Sequence, residues 1–288
     1  MAMSTETNRD RHKPIAPRTT AVALRLPSGA SLALARVVFE LRGFVRRRDG
    51  LFFVFAFPIV LLTIFATAFQ NADMGRGLTG AQYYLPAMLA SGILTIGTQN
   101  LGVQISEERY DDTRKRLAGT PLSPTSYLLG KIGQVLVAGL VQAVLLILVG
   151  HVAFDISLPN TPERWFTFTW ILLLGLITSA IAGIAIAHIP RSGKSASTVI
   201  TPIVLVLQFI SGVYLPFSLM PGWLQNIAAL FPLKWLAQGM RSVFLPDTLA
   251  TIEQGGTWNH AGVALTLTLW LILGAVVARA MFRWIPRV

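Results

Sequence analysis

The 288 residues carry 13% charged side chains against 53% hydrophobic ones, at a mean hydropathy of +0.59. That is about half the charge of a soluble domain, so the composition reads as an integral membrane protein and argues against a soluble enzyme. With no cysteine, disulfides and thiolate metal sites are excluded, and the net charge of +11 has to be located before it is taken as an affinity for nucleic acid.

In chain order, residues 1–30 are polar and broken by Pro14, Pro17 and Pro27, which predicts a disordered tail. The first apolar core begins only after residue 50 and is long enough to span, unlike a cleaved signal peptide. Residues 31–50 predict an amphipathic helix lying on a membrane surface. Leu34, Val37, Val38, Leu41, Phe44 and Val45 share one face, with Arg36, Glu40, Arg42, Arg46 and Arg47 mostly elsewhere. Residues 51–69 then form 19 positions without an ionisable group, close to the roughly 20 that a helix needs to cross a bilayer core. Five further apolar stretches, at about 82–105, 132–154, 165–189, 199–219 and 259–281, complete an expectation of six transmembrane helices in an all-α, polytopic domain over 51–288. The far end of the fifth is the least defined, because it fades into Gly212-Val213-Tyr214-Leu215-Pro216.

With six spans, both termini share a side with the loops 106–131 and 190–198. Of the 24 Lys and Arg residues, 20 fall on that side, and Arg76, Arg164, Lys234 and Arg241 fall on the other. The positive-inside rule then places both termini in the cytoplasm, with anionic membrane lipid and no nucleic acid as the partner of the basic excess.

The segment 107–131 is the most charged in the chain. Its acids lead (Glu107, Glu108, Asp111, Asp112) and its bases follow (Arg114, Lys115, Arg116), the order that a short helix dipole favours, with Thr120-Pro121 and Ser123-Pro124 ending it. Two readings stand: a solvated loop that only enforces topology, or a rigid helix offering both signs of charge to a protein partner. Residues 215–241 are too apolar for a free loop and too broken by proline for a span. They predict two short helices in the outer leaflet, around Pro221-Gly222-Trp223 and Phe231-Pro232, anchored by Trp223 and Trp235. Within the spans, Gly175, Ser179, Gly183 and Ala187 make a small-residue stripe suited to close helix packing. The amides Gln99, Asn100, Gln104, Gln134, Gln142 and Gln208 either bond between helices or line a translocation path.

The apolar stretches hold no Asp, Glu or Lys, so an ion-coupled carrier lacks the usual ion-binding acid, although backbone carbonyls can bind sodium. Arg191-Ser192-Gly193-Lys194-Ser195 imitates the end of a phosphate-binding loop, but His188 stands where the first glycine belongs. No mid-span Ser–His pair, His-Glu-x-x-His or paired carboxylate suggests catalysis, and no catalytic or metal-ligating residue is assigned.

Glu108-Arg109, Thr113, Lys115-Arg116-Leu117, Thr120-Pro121-Leu122-Ser123-Pro124 and Leu128-Leu129-Gly130-Lys131 resemble the cytoplasmic loop of ABC-2 type export permeases of the daunorubicin-resistance and nodulation-export kind. Leu215-Pro216, Met220-Pro221-Gly222-Trp223-Leu224, Phe231-Pro232-Leu233 and Arg241 are similar to that family's outer re-entrant segment. Tyr110 and Asp112 depart from its loop pattern. The resemblance implies that Glu107, Glu108, Arg109, Asp112, Lys115 and Arg116 belong to a coupling helix that docks on a separate ATP-hydrolysing subunit. Two such subunits would bind ATP and Mg and drive two permease copies, this chain holding no cofactor. It further implies export of amphipathic or lipid-like cargo across a bacterial plasma membrane.

Overall fold

The computed structural model describes residues 29–70, 77–111, 113–120 and 122–281. Most of the expected tail, Asp112 and residues 282–288 lie outside them. The described residues are helical and contain no strand, as the all-α expectation required.

The helices run between two ends of one bundle, with α1 (Gly29–Arg46) laid across the first end. Its helix stops at Arg46, short of the expected residue 50, because Arg47 leaves the helical region (φ −86°, ψ 77°) before α2 (Arg48–Ala68) begins. α2 contains Pro58, which has no N–H to offer the Val54 carbonyl one turn back. Gln142 of α6 (Pro124–Phe154) supplies the missing donor, its Nε2 standing 2.8 Å from Val54 O.

α3 (Gly80–Leu94) starts in a capping box, in which Thr79 accepts the Gln82 N–H and the Gln82 side chain accepts the Thr79 N–H. Apart from Gln82 it is buried along its whole length, as expected of a helix that is apolar all round. It continues through one π-helical segment, Thr95–Asn100, into α4 (Leu101–Tyr110). A π turn shifts the hydrogen-bond register, and the side chain of Ser179 meets the backbone where the shift begins, donating to Ile93 O at 2.9 Å. Thr98 returns the contact by donating to Ser179 O at 3.1 Å.

Ser179 belongs to α7 (Pro162–Ile186), and the small-residue stripe on this helix is what lets it lie against the π segment. A Cβ at Gly183 would overlap the Gly97 carbonyl oxygen, and one at Gly175 would press on Leu236. The stripe is therefore a packing surface, as expected.

The expected single helix over the charged loop is divided. α4 ends at Tyr110, and the Asp111 carboxylate accepts the Thr113 N–H at 3.0 Å, turning the chain into a separate short helix, α5 (Thr113–Ala118). Glu107 and Glu108 thus sit in the last turn of one helix and the bases in the next. Ser123-Pro124 opens α6, with Ser123 accepting the Ser126 N–H at 3.0 Å and Pro124 as the first helical residue. α6 has 31 residues, about 46 Å of helix, and its first two turns extend beyond the apolar stretch.

α8 (Ala196–Ile210) ends nine residues short of the expected 219, because Ser211-Gly212 turns the chain with Gly212 at φ +76°. The second end of the bundle is built from α9 (Gly222–Ala228), α10 (Pro232–Phe244), a 3-10 segment (Asp247–Ile252) and the start of α11 (His260–Met281). α10 is buried against α3, α7 and α11. Among the described residues three helices, α6, α7 and α11, are long and apolar enough to cross a membrane, while Val54–Ala68 and α8 are apolar but shorter.

Gly183→Ala forces a methyl group onto a neighbouring backbone, whereas Gly222 has nothing within 4 Å of where a Cβ would stand. In a detergent-solubilised thermal unfolding assay, Gly183→Ala is expected to destabilise the protein by about 1–3 kcal/mol, and Gly222→Ala to leave the midpoint unchanged.

Candidate functional site

The charged loop sits over a buried charge network that the apolar pattern concealed. Lys131, fully buried, bonds Glu40 Oε2 at 2.8 Å and also pairs with Glu108 Oε1. Arg36 holds the other oxygen of Glu40 at 2.5 Å, and the Tyr127 hydroxyl donates to Glu108 Oε2 at 2.6 Å. The amide of Gln104 donates to both carboxylates, at 3.1 Å to Glu40 and 3.3 Å to Glu108. Two cations and two anions thus close on one another among α1, α4 and α6. Gly130 makes the arrangement possible, since a Cβ there would collide with the Arg36 side chain. The absence of acids and lysines holds for the apolar stretches as bounded but not for the folded bundle. Glu108 and Lys131 lie just outside those stretches, where the helices outrun them, and Glu40 is buried because α1 packs onto α6.

The expected docking residues divide accordingly. Glu108 faces inward to Lys131 and Tyr127. Glu107 is turned outward and meets Arg47 at 3.4 Å, the two side chains 42% and 60% exposed. Arg109 reaches His188 O at 3.5 Å and Tyr110 donates to Pro190 O at 2.9 Å, strapping the α7–α8 turn to the end of α4. Lys115 and Arg116 are exposed on α5.

The candidate path residues separate into two groups. Gln104 is committed to the charge network and Gln142 to the Val54 carbonyl. Gln99, Asn100 and Gln208 instead meet at one cavity of about 260 Å³ between α2, the π segment and α8. There Gln99 donates to Thr201 at 3.3 Å, Gln208 donates to Thr95 at 3.1 Å, and the Tyr214 hydroxyl bonds the Gln208 carbonyl oxygen.

At the other end, sequence reasoning missed a second buried cluster. Arg241 Nε bonds Glu253 Oε1 at 2.5 Å, both side chains essentially inaccessible, and Arg241 also reaches Gly212 O at 3.4 Å. Lys234 pairs with Gln238, whose amide donates to Thr257 O at 2.9 Å and Trp258 O at 3.0 Å. The Lys234 ammonium also lies 4.0 Å from the centre of the Trp235 ring. Burial pushes Lys234 down to about 8, against the raising effect of Glu253. The signal available was the set of charged residues in an otherwise apolar segment, which demand partners if they are buried. Pro221 precedes α9, Gly222 opens it, and Trp223 is exposed, whereas Trp235 turns its indole N–H inward to Ala229 O at 2.8 Å. Among the described residues no cluster of His, Asp and Glu could hold a metal ion.

Removing Lys131 leaves two carboxylates buried against each other. Lys131→Met should cost about 3–5 kcal/mol in thermal unfolding of the purified protein. Adding Glu108→Gln to the same variant, which leaves Arg36 paired with Glu40, should recover most of that loss.

The profile of the ABC-2 family transporter proteins matches residues 74–283. The Probable multidrug ABC transporter permease YbhR of Escherichia coli K12 is 24% identical over 202 residues, 70% of this chain and 52% of that protein. The Inner membrane transport permease YadH of the same strain is 21% identical over 196 residues, 65% of this chain and 74% of that protein. The matched region therefore spans about half the length of YbhR. A family profile that covers most of the sequence, over an all-helical bundle with membrane-length apolar helices, places the chain in the ABC-2 family of transporter proteins.

Proposed function

We propose that this chain is the permease subunit of an ATP-driven exporter in a bacterial inner membrane, crossing it six times with both termini in the cytoplasm. The crossings are α2, the continuous α3–α4 helix, α6, α7, α8 and α11. The short α9 and α10 re-enter the outer leaflet without crossing. The charge asymmetry of the loops supports the orientation.

The observation that carries the reading is the network around Lys131. It joins the exposed α4–α5 loop to the surface helix α1 and to α6, so a push on the loop is delivered to three helices at once. Glu107, Arg109, Lys115 and Arg116, with Asp112, form the docking surface for an ATP-hydrolysing subunit. Glu108 acts behind it by tying that surface to the bundle. Two copies of the chain pair with two such subunits, and ATP and Mg are held by those partners. Both buried carboxylates of the network are already paired with cations, which disfavours the competing ion-coupled carrier.

The cavity bearing Gln99, Asn100 and Gln208 lies between α2 and α8, where Phe57 and Leu205 also contribute. Its mixture of amides and apolar walls suits an amphipathic or lipid-like cargo. Exposed apolar side chains on the flanking helices, Val60 and Ile64 on α2 and Val206 and Phe209 on α8, leave that side open to a second permease copy.

The charge-reversal pair Lys115→Glu and Arg116→Glu should abolish co-purification with the partner ATPase while leaving the permease inserted and folded. Undiminished co-purification and transport would remove α5 from the docking surface. Because the chain has no cysteine, Gly222→Cys is a clean topology probe. A membrane-impermeant maleimide should label it from outside intact cells, and labelling only after lysis would invert the proposed orientation.

A further inference from the structure

A second, smaller cavity lies beside the charge network, at the junction of α1 with α2. It measures about 120 Å³ and is bounded by Phe44, Arg47, Asn100, Gln104, Glu107 and Gln134.

Three features define what it could hold. At its rim stand one cation and one anion, Arg47 and Glu107, 3.4 Å apart and both substantially exposed. Exposed pairs of this kind are weak, so the two are readily parted by a ligand that answers both charges. Further in, Gln134 is 6% exposed, and its Oε1 has no hydrogen-bond partner among the described residues. A buried acceptor without a donor is costly, so an occupant carrying N–H or O–H groups gains by reaching it. Outside the rim, Val38, Leu41 and Val45 of α1 form an apolar surface beside Arg42 and Arg46.

We infer that this cavity binds a zwitterionic head group with a primary ammonium and a phosphate, as in an ethanolamine phospholipid. The ammonium enters past Glu107 to donate to Gln134 Oε1, the phosphate remains on Arg47, and the acyl chains lie along α1. An anion alone would face Glu107 and a cation alone would face Arg47; a zwitterion satisfies both. A choline head group has no N–H and leaves Gln134 unanswered. Asn100 borders both this cavity and the one that holds Gln99 and Gln208, so the head-group site adjoins the proposed path. Binding itself does not depend on the exporter reading; only the fate of the bound lipid does.

Equilibrium binding to the purified full chain in detergent, without ATPase or nucleotide, tests it. The probes are short-chain phosphatidylethanolamine, phosphatidylcholine and phosphatidylglycerol, together with glycerophosphoethanolamine. The ethanolamine lipid should bind about tenfold or more tightly than the choline lipid, the range expected when a buried acceptor loses its donor, and more tightly than phosphatidylglycerol, which has O–H donors but no cation to answer Glu107. Gln134→Leu should erase its advantage over phosphatidylcholine, and Gln134→Glu, which keeps an acceptor, should retain it. Should Gln134→Leu not fold, Arg47→Gln at the rim should weaken both of these lipids alike and leave their ratio intact. Glycerophosphoethanolamine binding as well as the lipid would mean that the head group alone is the ligand; failure to bind would make the acyl chains necessary. Equal affinity for ethanolamine and choline lipids, preference for phosphatidylglycerol, or a ratio unmoved by Gln134→Leu would overturn the site. Those results would leave the exporter reading standing, just as loss of ATPase docking in the α5 variant would leave this site standing.

Discussion

A helix that gives up a backbone hydrogen bond in lipid has no water to replace it, and the bundle is arranged around that constraint. Pro58 leaves the Val54 carbonyl without its regular donor, and Gln142 provides one from the neighbouring helix. The π segment disturbs the ladder after Leu94, and the Ser179 hydroxyl meets the backbone there. In both places an irregular backbone and a polar side chain far away in sequence are two halves of one feature. Such pairs also fix which helices are neighbours, because the donor must lie within about 3 Å of the carbonyl it satisfies.

The same logic governs charge. Lys131 and Glu108 are tolerable in the interior because α1 lays Glu40 and Arg36 across them, completing a neutral set. α1 therefore has a double character. Toward the bundle it presents ion-pairing side chains, and away from it Leu34, Val38 and Val45 are exposed. Val37 over Gly133 and Phe44 against Phe55 add apolar packing on the bundle side, so both faces carry apolar side chains, which suits a helix with protein on one side and lipid on the other.

Much of this was legible from the residues alone. The fourth and sixth apolar stretches match α7 and α11 within three residues, because Thr161-Pro162 and Asn259 give local start signals. The two short helices around Trp223 and Pro232 followed from proline spacing, and the packing role of Gly175, Ser179 and Gly183 from their four-residue repeat. What escaped was everything decided by a partner distant in sequence. Glu108 reads as part of a solvated charge run until Lys131 and Glu40 are brought over it. Lys234 and Arg241 read only as outer-side bases of a re-entrant segment until α10 is buried against α3. The amides divided for the same reason: nothing local distinguishes Gln142, committed to a helix carbonyl, from Gln208, which faces a cavity.

The π segment has a geometric consequence for the long helix that contains it. An α-helix advances about 100° per residue, so a widened turn that accommodates one extra residue puts the two halves out of phase by about that angle. Gln99 and Asn100 sit at the seam. Relaxing the turn, or moving it one position along the chain, swings these amides around the axis while Gly80–Leu94 stays seated in the core. The widened turn therefore sets the rotational phase in which Glu108 meets Lys131 and in which Arg109 and Tyr110 meet the carbonyls of His188 and Pro190.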